Sequence, residues 1–192
     1  FKDISKTTVL GNNNFSFNAS ITNTVWLSKL LGIPLKSSGQ ISIYTKFDDK
    51  NRDLYLNCTF DNIQYSQFKF KNGCLTLSSS HKSLLCNLTG VYVMESGNEI
   101  NITGSCDAYQ NNLSTSISWD SNSDSKFSGE FNSTTQFYND DNGIQMALIN
   151  ILPSHIAIKD NIWNVMPSNI VYSANTIDIK DFAIKHDDQY IA

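Results

Sequence analysis

The sequence is short of charge, of glutamate and of long apolar runs. Charged residues make up 17% of the 192, against about 25% in an average soluble domain. The 14 Lys and Arg are outnumbered by 18 Asp and Glu, for a formal charge of -4. No basic stripe exists to neutralise phosphates, which speaks against a nucleic-acid partner. The longest apolar stretch, Val25 to Leu35, is interrupted by Ser28, Lys29, Gly32 and Pro34, far short of the ~20 apolar residues a spanning helix needs. No basic segment followed by an apolar one marks a signal peptide. The chain opens at Phe1, and Gln189 to Ala192 resemble the middle of a strand. The expectation is therefore a single β-rich segment, residues 1–192, of a longer polypeptide.

Signatures of chemistry are equally scarce. Cys58, Cys74, Cys86 and Cys106 form no CxxC pair, which excludes the zinc-ribbon and thioredoxin patterns. Cys58 and Cys86 fall in step with Leu54, Leu56 and Leu84, Leu88, so free thiols in a β core are expected; if all four paired, three connectivities would be open. His81, His155 and His186 are widely separated, with no HExxH, and no metal site is expected. GxSxG, P-loop and GxGxxG motifs are absent. Asp120, Asn122 and Asp124 imitate the start of a calcium loop, but Ser125 replaces the turn glycine and Phe131 the bidentate glutamate. Asp48, Asp49 and Asp53 suit a solvated turn. With only Glu95, Glu99 and Glu130, no carboxylate pair for glycosidic work is nominated. Seven Asn-x-Ser/Thr sequons, at Asn14, Asn18, Asn57, Asn87, Asn101, Asn112 and Asn132, arise readily in so Asn-, Ser- and Thr-rich a chain, and glycosylation is not inferred from them. No catalytic residue, cofactor or enzymatic activity is expected.

What the sequence has in abundance is alternation. Side chains on a strand point to opposite faces in turn. Phe15, Phe17, Ala19 and Ile21 alternate with Ser16, Asn18 and Ser20; Ile41, Ile43, Thr45, Phe47 and Leu54, Leu56, Cys58, Phe60 repeat the pattern. Later runs agree: Ile100, Ile102; Leu113, Thr115, Ile117, Trp119; Phe127, Gly129, Phe131; Ile156, Ile158; Ile177, Ile179. Clusters of Asn, Asp, Ser and Gly between them suit turns. The fold class is all-β: an elongated antiparallel meander curled into a taco-like or sandwich-like sheet. One segment departs from the period. Val25, Trp26, Leu27, Leu30 and Leu31 fit a short helix near residues 24–31, with Thr24 as its cap, Gly32 as its stop and Pro34 beyond.

The C-terminal third carries a more particular pattern. Leu152-Pro153-Ser154-His155-Ile156-Ala157-Ile158 leads through Lys159-Asp160-Asn161-Ile162 to Trp163, then to Met166-Pro167-Ser168-Asn169-Ile170. Ile177-Asp178-Ile179-Lys180-Asp181-Phe182 and Gln189-Tyr190-Ile191 follow. This succession resembles the repeat of the TamB family (translocation and assembly module, AsmA-like) in its Bacteroidetes-type members, although the chain stops before the glycine that usually follows the last strand. Upstream, the helix, Pro34 and Ser38-Gly39-Gln40-Ile41-Ser42-Ile43, and then Ile63-Gln64-Tyr65 with Phe68 to Leu77, are similar to the family more loosely. The motifs are β patterns, not catalytic signatures.

The resemblance implies an internal fragment of a periplasmic protein, anchored to the inner membrane through a segment outside it. It also implies a groove with an apolar interior, a role in outer-membrane biogenesis and lipid transport, and two partners: phospholipid acyl chains and an outer-membrane Omp85-type barrel protein. The rest of the full-length chain would flank the fragment at both ends. The expected groove residues are Phe15, Phe17, Ile41, Ile43, Leu54 and Leu56, for which ordinary core packing is the competing role. The alternative function is a secreted or surface β domain for adhesion or glycan binding, using aromatics such as Trp119, Trp163, Tyr65 and Tyr172. An outer-membrane barrel fits less well, because several strands are short and no aromatic girdle is evident.

Overall fold

The computed structural model describes residues 13–80, 82–121, 126–173 and 176–191. Within them the alternation resolves into one open antiparallel sheet of fifteen strands. Eight strands follow one another in chain order: β1 (Asn14–Ile21), β2 (Leu35–Asp48), β3 (Asp53–Tyr65), β4 (Phe68–Ser80), β5 (Ser83–Val93), β6 (Glu99–Tyr109), β7 (Asn112–Ser121) and β8 (Phe127–Asn139). From β3 onward each lies beside its predecessor because the connections are short and polar in sequence, which favours an antiparallel return; β1 and β2 are joined instead by the longer stretch 22–34, which holds the helix. In the turn after β2, Asp48 accepts the Asn51 backbone N–H at 3.1 Å and its side-chain amide at 2.8 Å, and Arg52 takes φ 56. This is the expected solvated turn. The calcium-like run from Asp120 falls largely on residues 122–125, outside the described residues.

Beyond β8 the sheet is creased. The first part of β8 pairs with β10 (Ser154–Ile158), whereas its second part pairs with β9 (Gln145–Ile151). β9 and β10 are two halves of one long strand, interrupted at Leu152 and Pro153. β11 (Asn161–Val165) and β12 (Ser168–Ser173) are likewise interrupted at Met166 and Pro167, and they pair with β10 and β9 respectively. β13 (Ile177–Lys180) pairs with β12, and β14 (Ile184–His186) with β11, with the break now at residues 181–183. β15 (Gln189–Ile191) borders β14. Proline supplies no ladder N–H, so Pro153 and Pro167 on neighbouring strands draw one line of weakness across the sheet. Ser154 repairs part of it: its hydroxyl accepts the Asn132 N–H and donates to the Leu152 carbonyl, both at 2.9 Å. Two further irregularities, at Gly39 (φ 99) in β2 and Asn72 (φ 51) in β4, shift the register with β3 and β5.

The one helix among the described residues, α1 (Val25–Leu31), has the expected position and stop: Gly32 adopts φ 65 and its N–H reaches the Ser28 carbonyl. The cap differs from expectation. Thr24 occupies the N-cap position but makes no side-chain capping bond. Its hydroxyl instead accepts the Ser37 N–H of β2 at 2.9 Å, and the residue is only 2% exposed. Asn23 caps in its place, accepting the Val25 N–H at 2.8 Å. Thr24 thus ties the helix to the sheet, which is why a polar residue is buried there.

A compact monomer of this mass would expose about 9,200 Å². This chain of 21.5 kDa exposes 13415 Å². The excess follows from the architecture: strands make substantial contact only with hydrogen-bonded neighbours, and α1 only with β2. Of the two expected arrangements, taco-like or sandwich-like, the open single sheet is the one formed.

Candidate functional site

Register decides which side chains share a face. Phe15 and Phe17 of β1 stand opposite Phe47 and Thr45 of β2, which in turn stand opposite Leu54 and Leu56 of β3. Ile21 faces Ile41, and Ala19 faces Ile43. The six expected groove residues therefore lie together on one side of the sheet. The same side continues through Leu75 and Leu77 of β4, Leu84 and Leu88 of β5, Ile102 of β6 and Ile117 of β7. It then runs through Phe131 of β8 to Ile149 and Ile151 of β9, and on to Ile170 of β12 and Ile179 of β13. The expectation named only the first three strands, although the later strands carry the same alternation.

This face is mainly apolar, although Thr45 and the buried Ser121, Ser133, Ser154 and Ser168 share it, and among the described residues no second layer covers it. The five buried apolar side chains among the described residues, Ile41, Ile100, Ala147, Ile151 and Val165, all belong to it. Burial is nevertheless shallow: among the described residues no large side chain falls below 2% exposure. Exposure also varies along the face. Ile41 is 5% exposed, Ile43, Leu54 and Leu56 are half-buried, and Phe15 and Phe17 are each 53% exposed. Among the described residues β1 has a neighbouring strand on one side only, which explains the last two. Phe15 leans on Phe47, with ring centroids 5.4 Å apart.

Aromatic rings pave two places where the strands carry glycine. Phe60 lies over its cross-strand partner Gly73, so close that an added Cβ would sit 1.9 Å from the ring. Trp119 lies over its partner Gly129, where an added Cβ would meet the indole at 2.5 Å and the His155 carbonyl at 2.6 Å. The Trp119 ring also contacts Phe127 at 5.9 Å, and its Nε1 is buried without a hydrogen-bond partner. Trp163 stacks on His186 at 5.1 Å, whereas Tyr65 and Tyr172 are exposed.

The opposite face is rich in Ser, Thr and Asn but also carries exposed apolar side chains: Tyr44 and Tyr55 lie against each other with ring centroids 6.0 Å apart, and Leu85 is exposed on the same side of the sheet. All seven sequon asparagines are strand residues on this face, for example Asn57 opposite Thr76, which is opposite Asn87. The reason is geometric: Asn at i and Ser or Thr at i+2 point the same way on a strand, so a polar strand face writes sequons of itself. A shallow concavity of about 460 Å³ on this side is lined by Leu85, Leu152 and Pro153 together with Ser105, Ser114 and Asn132, among others. A second, of about 500 Å³, lies where β1 meets α1 beside Trp26 and Lys29.

The thiols are half-buried rather than buried, and all four are free. Cys58, Cys86 and Cys106 belong to the apolar face; Cys74 points to the other, with its Sγ 4.0 Å from the Asn57 side chain. Burial raises the Cys58 and Cys106 thiols above the ordinary range, with the neighbouring Cys74 and Cys86 adding to the effect. His155 sits 3.6 Å from Glu130 at the surface, and His186 Nδ1 contacts the Ile162 carbonyl at 2.9 Å. Among the described residues no cluster of His, Cys, Asp and Glu is arranged to hold a metal, and His81 lies outside them. No described helix is long and apolar enough to cross a membrane. Compared with known proteins, the chain matches no family model, no curated protein and no solved structure.

Proposed function

We propose that this chain is a non-enzymatic segment of a periplasmic TamB/AsmA-like protein, anchored to the inner membrane elsewhere in its sequence. Its apolar face would carry phospholipid acyl chains between the inner and outer membranes, in partnership with an Omp85-type barrel, as part of outer-membrane biogenesis. The observation that supports this most is the apolar face itself: one side of the sheet is mainly apolar from β1 to β13, and among the described residues no second layer covers it. Exposed contiguous apolar surface of this extent is rare on a monomer and marks an interaction site. Acyl chains are a fitting occupant because each methylene removed from water contributes about 0.8 kcal/mol without demanding a particular geometry. A face of half-buried Ile, Leu and Phe can therefore hold a chain while letting it slide. The Ser, Thr and Asn side stays in water.

Photo-crosslinking in cells tests the proposal, with a light-activated residue at Ile43, Leu56 or Ile117 and at Asn57 on the polar face as control. Phospholipid adducts at the three apolar positions and none at Asn57 are expected. No adduct at any apolar position in the folded protein would refute lipid carriage and favour adhesion.

A further inference from the structure

We propose that Cys86 and Cys106 are a disulfide site, closing a bond between β5 and β6 in the middle of the apolar face. The two residues are direct cross-strand partners and share that face. Directly opposed residues in an antiparallel pair have Cα atoms about 4.5–5.5 Å apart, inside the ~4.4–6.8 Å that a disulfide spans. Cys86 is also one of the groups acting on the Cys106 thiol. The other two cysteines are placed differently. Cys58 stands opposite Leu75, and Cys74 opposite Thr59, so their Cβ vectors diverge to opposite faces of the sheet. Of the three ways to pair four cysteines, none is satisfied in full, and Cys86–Cys106 is the one bond the register permits.

The oxidant is a disulfide compound such as glutathione disulfide. The thiolate of one cysteine attacks it, forming a mixed disulfide and expelling one glutathione thiolate. The second cysteine then attacks the protein sulfur of the mixed disulfide, the Cys86–Cys106 bond forms, and the second glutathione leaves. Two electrons pass to the oxidant, and the two thiol protons go to the two expelled thiolates.

The experiment incubates the folded chain with glutathione disulfide and maps its peptides without reduction by mass spectrometry. A single crosslink joining the Cys86 and Cys106 peptides is expected, two hydrogen masses lighter than the separate peptides, with Cys58 and Cys74 still free to alkylate. Cys86→Ser should abolish the link and leave Cys106 as a glutathione adduct, while circular dichroism reports an unchanged β signal. A crosslink involving Cys58 or Cys74 would overturn the proposal. So would Cys86 and Cys106 remaining unlinked, whether unreacted or as glutathione adducts, in protein whose β signal is native.

Discussion

Gly129 and Gly104 offer a sharp test of the floor of the apolar face. Both are strand glycines on that face, and the sequence gives no reason to rank them. In the structure, a Cβ at Gly104 finds nothing nearer than 3.8 Å, so Gly104→Ala should be neutral or slightly stabilising through the lower chain entropy of the unfolded state. A Cβ at Gly129 meets the Trp119 indole and, at 2.6 Å, the backbone carbonyl of His155. The indole can rotate away, but the carbonyl belongs to β10 and moves only if the pairing of β8 with β10 opens. Overpacking of this kind costs about 1–3 kcal/mol. With a urea dependence of about 2 kcal/mol per molar, the midpoint of unfolding should drop by roughly 0.5–1.5 M for Gly129→Ala and not at all for Gly104→Ala. The assay is urea denaturation followed by Trp fluorescence, to which Trp119 contributes directly. Equal midpoints for the two variants would refute both the register of β8 against β10 and the ring-over-glycine packing.

Three further perturbations separate the roles assigned above. Ser154→Ala leaves the part-buried Asn132 N–H without its acceptor, and calorimetry should show a loss of about 1–3 kcal/mol; an unchanged melting temperature would mean the crease needs no such repair. The Asn51 backbone N–H holds the Asp48 carboxyl below its ordinary 3.8, so the stability it contributes is present above that value and fades as pH falls through the lower folded one. An NMR titration of Asp48 with its midpoint at or above 3.8 would contradict the turn geometry. Under the proposed lipid-carrying function, Ile43→Asp and Leu56→Asp in the protein expressed in its own cell should raise outer-membrane permeability to a dye while Ser42→Asp on the opposite face does not, and equal tolerance of all three would count against that function.

Much of the fold was legible because strand alternation is a local property. Phe15, Phe17, Ile41, Ile43, Leu54 and Leu56 could be set on one side by counting in twos, and they do share it. Their burial could not be read the same way. Phe17 and Ile41 have similar neighbours in sequence, yet among the described residues one lies on the first strand of the sheet and the other between two strands. Thr24 shows the same limit: a threonine before a helix satisfies a capping pattern, but its hydroxyl was claimed by Ser37, thirteen residues away, once β2 came alongside.

By itself the sequence determined that the chain is a polar-faced, apolar-faced antiparallel meander with a single helix ended by Gly32, because period, turn chemistry and glycine conformation act within a few residues. The tertiary structure alone decided that the sheet stays open, that Pro153 and Pro167 fall on one crease, and that Cys86 meets Cys106. Those outcomes depend on register and on what covers a face, and both are fixed by partners distant along the chain.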